Sequence, residues 1–188
     1  VYKQPVINSF NQEEVIAGCL KKQKEFEDQL YKKFAPTMFA ICYRYAGNKD
    51  DAKDIFQDGF IKVYSQLKNF KTQGSLEGWI KRIFINTALD FCKSKKNFQI
   101  ELAENDFKEE ENNDLNENLD IPKEKLFEMI SNLPHGYRLV FNLYALENYA
   151  HKEIAEVLNI DIGTSKSQLY KARKILKTKV LDFVSVNK

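Results

Sequence analysis

The chain has 188 residues, of which 43% are hydrophobic and 30% charged, and its formal net charge is +2. That suffices for one ordinary domain or two small ones with a buried core. Seven glycines and four prolines are too few for a turn-rich β fold, and three scattered cysteines (Cys19, Cys42, Cys92) with two histidines suggest neither a disulfide framework nor a zinc site.

Apolar residues recur at intervals of three and four, the helical period, with almost no strict alternation. Asn11 and Glu14 form a capping pair that opens a helix through Leu20. Phe26, Leu30, Phe34, Ile41 and Tyr45 mark a second helix, perturbed at Pro36 and ended by Gly47-Asn48. Asp50 to Leu67 form a third, with Ile55, Phe56, Phe60, Val63 and Leu67 inward. A loop, Lys68 to Gly74, follows. Ser75 begins a fourth helix, with Leu76, Trp79, Ile80, Ile83, Phe84 and Leu89 on its apolar face.

Residues 97–121 break the pattern and read as a flexible linker, too poor in aliphatics to offset their ordering entropy. Residues 101–120 alone carry −8, which leaves +10 on the rest of the chain. A basic body with an acidic insert suits a polyanionic partner.

Helix returns at Pro122, with Leu126, Phe127 and Ile130 apolar, and again after Pro134, with Leu139, Val140, Leu143 and Tyr144. Glu147-Asn148 make a turn. Two further helices, roughly 150–158 and 162–184, have the pattern of a helix-turn-helix. Ala155 is small where the helices cross, Asn159 tolerates the positive φ of the turn, and Asp161 stands as an N-cap. Ile162, Leu169, Ala172, Leu176 and Val180 share one face; Thr164, Ser167, Lys171 and Lys174 share the other, flanked by Gln168 and Tyr170. From Gly163 to Lys179 there are six bases, Lys166 among them, and no acid. Cations toward a helix C-terminus favour its dipole, but that does not explain an acid-free face mixing Ser, Thr, Gln and Lys, the types that reach base edges and phosphates.

The first half carries two further candidate surfaces. The third helix shows Asp51, Asp54, Gln57 and Asp58 outward, a solvated face or a docking face. Around the following loop, Lys68, Asn69, Phe70, Lys71, Lys81 and Arg82 mix aromatic and basic character, as single-stranded nucleic acid requires. Phe70 and Trp79 also fit the inward spacing of a core. Asn86 is an amide within the apolar run Ile83 to Ala88, either anchoring its helix through a local hydrogen bond or aimed at a base edge.

The chain is thus expected to be all-α: two four-helix domains, 1–96 and 122–188, joined by the linker. It shows no run of about 18 apolar residues for a membrane span. It shows no secretory leader, no cofactor or metal motif and no nucleophile-base arrangement. The expectation is a cytoplasmic, non-enzymatic DNA-binding protein. A free-standing helix-turn-helix regulator is an alternative, but it leaves the first domain unexplained.

At this point the chain resembles the extracytoplasmic-function (ECF) sigma factors. Asp51-Ala-Lys-Asp-Ile-Phe-Gln-Asp58 is similar to the family's polymerase-binding signature, and Trp79 to Asp90 to its promoter-melting helix. Leu133-Pro134, Glu153-Ile-Ala155 and Gly163 to Arg173 are similar to its upstream-element module. The resemblance implies that Asp51, Asp54, Gln57 and Asp58 dock on core RNA polymerase, whose β′ and β subunits would be the partners. It implies that Lys68, Asn69, Phe70, Lys71, Lys81, Arg82 and Asn86 capture the minus-ten element of promoter DNA. Thr164, Lys166, Ser167, Gln168, Tyr170, Lys171 and Lys174 would read the minus-thirty-five element, and an anti-sigma factor would be a further partner. Gly59 departs from the pattern at a cost in helix propensity, and Ala150 stands where a capping Ser is common, so the helix after it is expected to fray.

Overall fold

A computed structural model describes residues 10–71, 74–94 and 121–186. The segment read as a linker lies outside the described residues except for Ile121. The described elements are α1 (Gln12–Leu20), α2 (Lys24–Ala46), α3 (Lys49–Gln66), a 3-10 turn (Leu67–Asn69), α4 (Leu76–Ser94), α5 (Lys123–Ser131), α6 (His135–Phe141), a π turn (Asn142–Leu146), α7 (His151–Leu158) and α8 (Ile162–Val186).

The helix ends follow local chemistry. Asn11 accepts the Glu14 amide at 3.3 Å. Gly47, at φ 79°, closes α2 in the left-handed region, and Asn48 then opens α3 by accepting the Asp51 amide at 2.9 Å. Pro36 does not interrupt α2. It sits on the exposed face, where the carbonyl it leaves unbonded can meet water, while Leu30, Phe34, Met38, Ile41 and Tyr45 on the opposite face are buried. Burial of that stripe outweighs the local cost of about 3 kcal/mol.

α2, α3 and α4 pack together around an aromatic cluster. Phe60 meets Phe84 edge-on at 5.2 Å and Phe56 at 5.0 Å. Gly59 has a reason that propensity does not supply. A Cβ there would fall inside contact distance of the Phe84 ring, so the glycine lets α3 and α4 approach closely. The three cysteines are all buried and free. Burial pushes the Cys42 thiol up to about 12, and burial with the charge of Glu27 raises Cys19 to about 11, which leaves both poor nucleophiles.

In the second half, Asn159 takes φ 54° at the end of α7, as the turn requires, and the Ile160 amide returns to the Ala155 carbonyl at 3.0 Å. Ala150 cannot cap α7 with its side chain, but the Glu153 carboxylate accepts the Ala150 amide at 2.7 Å, which supplies the other half of a capping box.

The two halves do not stand apart. The C-terminal part of α2 packs against α5 and α6. One apolar cluster runs from Val15 through Tyr45 and Leu89 to Leu139, Leu143 and Leu169, and a second joins α5 to α8 through Ile130, Leu133 and Leu176.

In an isolated helix, Gly→Ala gains about 1 kcal/mol. Gly59→Ala is expected to lose stability here, by about 1–3 kcal/mol, because the methyl group overpacks against Phe84. Urea unfolding reads the sign directly. A gain would show that α3 and α4 can separate at no cost.

Candidate functional site

α3 places Asp54, Gln57 and Asp58 on its exposed face, away from buried Ala52, Ile55 and Gly59. Asp51 is only partly exposed, and its carboxylate accepts the Asn48 side-chain amide at 2.6 Å. Three of the four acid-face residues therefore face solvent, while the fourth helps to start the helix.

The turn after α3 and the start of α4 form a second surface. Lys68, Asn69 and Lys71 are exposed, and Phe70 is half-buried. The Phe70 ring meets Trp79 at 5.4 Å, which ties the turn back onto the first part of α4. Both rings pack partly against the core, so they anchor the loop and retain an exposed edge. Arg82 and Asn86, one turn apart, lie exposed on the outer face of α4 between buried Ile83, Phe84 and Ile85. The helix-anchoring bond belongs to the next residue, Thr87, whose hydroxyl donates to the Ile83 carbonyl at 2.8 Å. Lys81 differs from its neighbours. Its ammonium pairs with Glu147 at 2.7 Å.

On α8, Lys166 and Lys174 are exposed, and Tyr170 and Lys171 are partly so. Thr164, Ser167 and Gln168, expected on the outer face, are instead buried at 7%, 5% and 1% exposure. The Ser167 hydroxyl donates to the Thr164 carbonyl at 3.0 Å, within its own helix. The first turns of α8 seat against α7, and Leu169 reaches the cluster shared with the first half. In this arrangement the basic residues at the helix surface can meet an anion, and the three small polar residues cannot.

His151 locks α7 to α8. Its Nδ1 lies 2.9 Å from the Ser165 hydroxyl, and its ring stacks on Tyr144 at 4.6 Å, with Arg173 over the other ring of the pair at 5.5 Å. Burial lowers the imidazole pKa, and the charges of Lys166 and Arg173 lower it further.

The sequence reading missed the polar contacts between the halves. Arg138 is 8% exposed and donates four hydrogen bonds to backbone carbonyls. Nε reaches Tyr45 at 3.1 Å and Nη2 reaches Ala46 at 3.0 Å, across the interface. Nη1 reaches Ser131 at 2.9 Å and Leu133 at 3.0 Å, on its own side. The fully buried Asn142 donates to the Arg44 carbonyl at 3.1 Å. Glu147 accepts from Arg44 at 3.1 Å as well as from Lys81, with its side chain only 4% exposed. The available signal was Arg138 and Asn142 standing four apart within an apolar helical run.

Two sequence profiles match the chain: sigma-70 region 2 over residues 30–98 and sigma-70 region 4 over residues 123–176. The chain is similar to the ECF RNA polymerase sigma factor SigE of Mycolicibacterium smegmatis, 27% identical over 154 residues, covering 80% of this chain and 60% of that protein. It is also similar to the RNA polymerase sigma factor SigV of Bacillus subtilis, 27% identical over 140 residues, covering 74% of this chain and 81% of the relative. Among solved structures, the sigma factor RpoE of Bartonella quintana, crystallised with the anti-sigma factor NepR, aligns at a TM-score of 0.44 and 19% identity, over 82% of this chain and 96% of that one.

His151 generates a pH dependence. Its folded-state pKa lies below the ordinary 6.5, so the neutral ring contributes stability that is present above about pH 6.5 and lost as pH falls through the lowered value. Thermal unfolding should therefore show a lower midpoint at pH 5.5 than at pH 7.5, and His151→Gln should shrink the difference. An equal pH response in the variant would mean that other groups carry it.

Proposed function

This chain belongs to the sigma-70 family as an ECF-type RNA polymerase sigma factor, and we propose that it directs core polymerase to specific promoters through three surfaces. It performs no catalysis in this reading. The observation that carries the proposal is the pairing, in one chain, of an exposed acidic face on α3 beside the exposed Arg82-Asn86 face of α4 with a helix-turn-helix whose second helix holds six bases and no acid from Gly163 to Lys179.

Each surface has its own chemistry. Asp54, Gln57 and Asp58 dock on the polymerase β′ subunit, and Asp51 supports them by fixing the helix start. The turn from Lys68 to Lys71, with Arg82 and Asn86, engages the non-template strand of the minus-ten element. The cations hold the phosphates, and the Asn86 amide offers one acceptor and two donors to a base edge. Removing a base from the stack costs a few kcal/mol, so a contact made only with the extruded base couples recognition to melting.

α8 enters the major groove of the minus-thirty-five element. Lys166, Lys171 and Lys174 reach phosphates and base edges, with Tyr170 beside them. Thr164, Ser167 and Gln168 are buried in this arrangement. Lysine lacks the bidentate fork of arginine, so Lys171 supplies charge more than base selection. The promoter-reading domains extend over residues 1–96 and 122–188. The acidic linker passes along the polymerase, and an anti-sigma protein is the natural antagonist. No helix among the described residues is long and apolar enough to cross a membrane.

Reversing the exposed carboxylates separates docking from a merely solvated face. Asp54→Lys with Asp58→Lys is expected to abolish co-purification with core polymerase while helical content, read by circular dichroism, stays intact. Retained polymerase binding would return the α3 face to plain solvent exposure.

A further inference from the structure

The start of α7 gathers basic side chains around one aromatic ring. His151 is the first residue of the helix, and its ring stacks on Tyr144 at 4.6 Å. Arg173 lies over the same Tyr144 ring at 5.5 Å. Lys166 stands two turns before Arg173 on α8, and both are exposed. We propose that His151, Lys166 and Arg173 form a proton-linked phosphate clamp, which holds the DNA backbone beside the minus-thirty-five element and takes up one proton when a phosphate docks. The clamp depends on α8 being the groove helix, as in the sigma-factor reading, and adds a backbone contact at α7.

Position supplies the first support. In a helix-turn-helix the second helix lies in the major groove, while the first crosses the sugar-phosphate backbone. A helix N-terminus brings unpaired amides and partial positive charge to such a crossing. Ala150 offers those amides of α7 no side-chain acceptor. Lys166 and Arg173 share a face of α8, since seven residues make nearly two full turns. Lys171 lies well round the helix from them, so the clamp and the groove-reading lysine are different surfaces.

Hydrogen bonding supplies the second. The Ser165 hydroxyl, fully buried, lies 2.9 Å from Nδ1 of His151. A hydroxyl both donates and accepts. It donates to the bare Nδ1 of a neutral ring and accepts from the Nδ1–H of a charged one, so protonation leaves the joint between α7 and α8 intact. Nε2 has no hydrogen-bond partner among the described residues and is the nitrogen left to donate to a phosphate oxygen.

Charge supplies the third. Burial, then the positive charges of Lys166 and Arg173, holds the ring below the usual 6.5. Beside it on α7 stand Lys152 and Glu153, and the Glu153 carboxylate is engaged by the Ala150 amide at 2.7 Å. Glu147, just after the π turn that carries Tyr144, is held by Arg44 and Lys81. A phosphate set among His151, Lys166 and Arg173 reverses the local field, and the ring then gains a proton.

The test uses the full chain and a 20-base-pair duplex of mixed sequence at low salt, where phosphate contacts alone support binding. The chain has two histidines, so His135 serves as the internal control for labelled imidazole resonances. Adding the duplex should raise the His151 pKa by about one unit and leave His135 in place. Affinity, read by fluorescence anisotropy, should be about three- to tenfold tighter at pH 6 than at pH 8. His151→Gln should lose that pH response, His135→Gln should keep it, and His151→Arg should bind tightly at both pH values. An unmoved His151 pKa, or a pH response that survives His151→Gln, would overturn the clamp and leave α8 as a DNA-binding helix. A rise produced by 10 mM inorganic phosphate but not by the duplex would overturn it too, marking a small-anion pocket. A chain that binds no duplex at either pH would overturn the clamp and the groove reading together.

Discussion

Two helix ends converge on one buried cation. α2 finishes at Ala46 and α5 at Ser131, and both direct their last carbonyls at the guanidinium of Arg138. Each helix C-terminus carries a partial negative charge, which suits a cation placed against it. Burial lowers the guanidinium pKa, while the charges of Cys92 and Asp51 act in the opposite direction. The four carbonyls supply what water would otherwise have supplied. Removing such a group leaves several buried acceptors unsatisfied at once, at about 1–3 kcal/mol each. The position of the second half against the first therefore depends on Arg138 more than on any single apolar contact.

That dependence gives the fold its character. The aromatic cluster around Phe56, Phe60 and Phe84 is dispersion and area, insensitive to salt and hard to undo. The contacts of Arg138, Asn142 and Glu147 are charged or polar and can be exchanged for water. Both kinds of contact cross from one half to the other, since the apolar cluster that begins at Val15 also takes in Leu139, Leu143 and Leu169. Asn86 stands exposed on α4, and Lys171 lies on a helix joined to α7 by the His151–Ser165 contact.

Much of this was legible in the sequence because local rules agreed with one another. The three-and-four spacing gave the helices, and Asn11, Gly47, Pro122 and Pro134 marked their ends where φ preference and missing donors require. Asn159 was readable as a left-handed turn residue for the same reason. Pro36 misled because its local cost is overridden by burial on the opposite face. The burial of Thr164, Ser167 and Gln168 was not legible, since helical period fixes which residues share a face but not what covers that face. The π turn after α6 was hidden too. It presents Asn142 to Arg44, with Glu147 just beyond it, and no propensity scale marks such a bulge.

The central claim, that the chain confers promoter choice on polymerase, is tested most directly by reconstituted transcription. Core polymerase with and without the purified chain is given genomic DNA from the source organism, and transcript 5′ ends are mapped. The account predicts a discrete set of start sites that appears only with the chain, each preceded by two shared sequence blocks at minus ten and minus thirty-five. Start sites identical in the two reactions, or new ones without a shared pair of blocks, would contradict it.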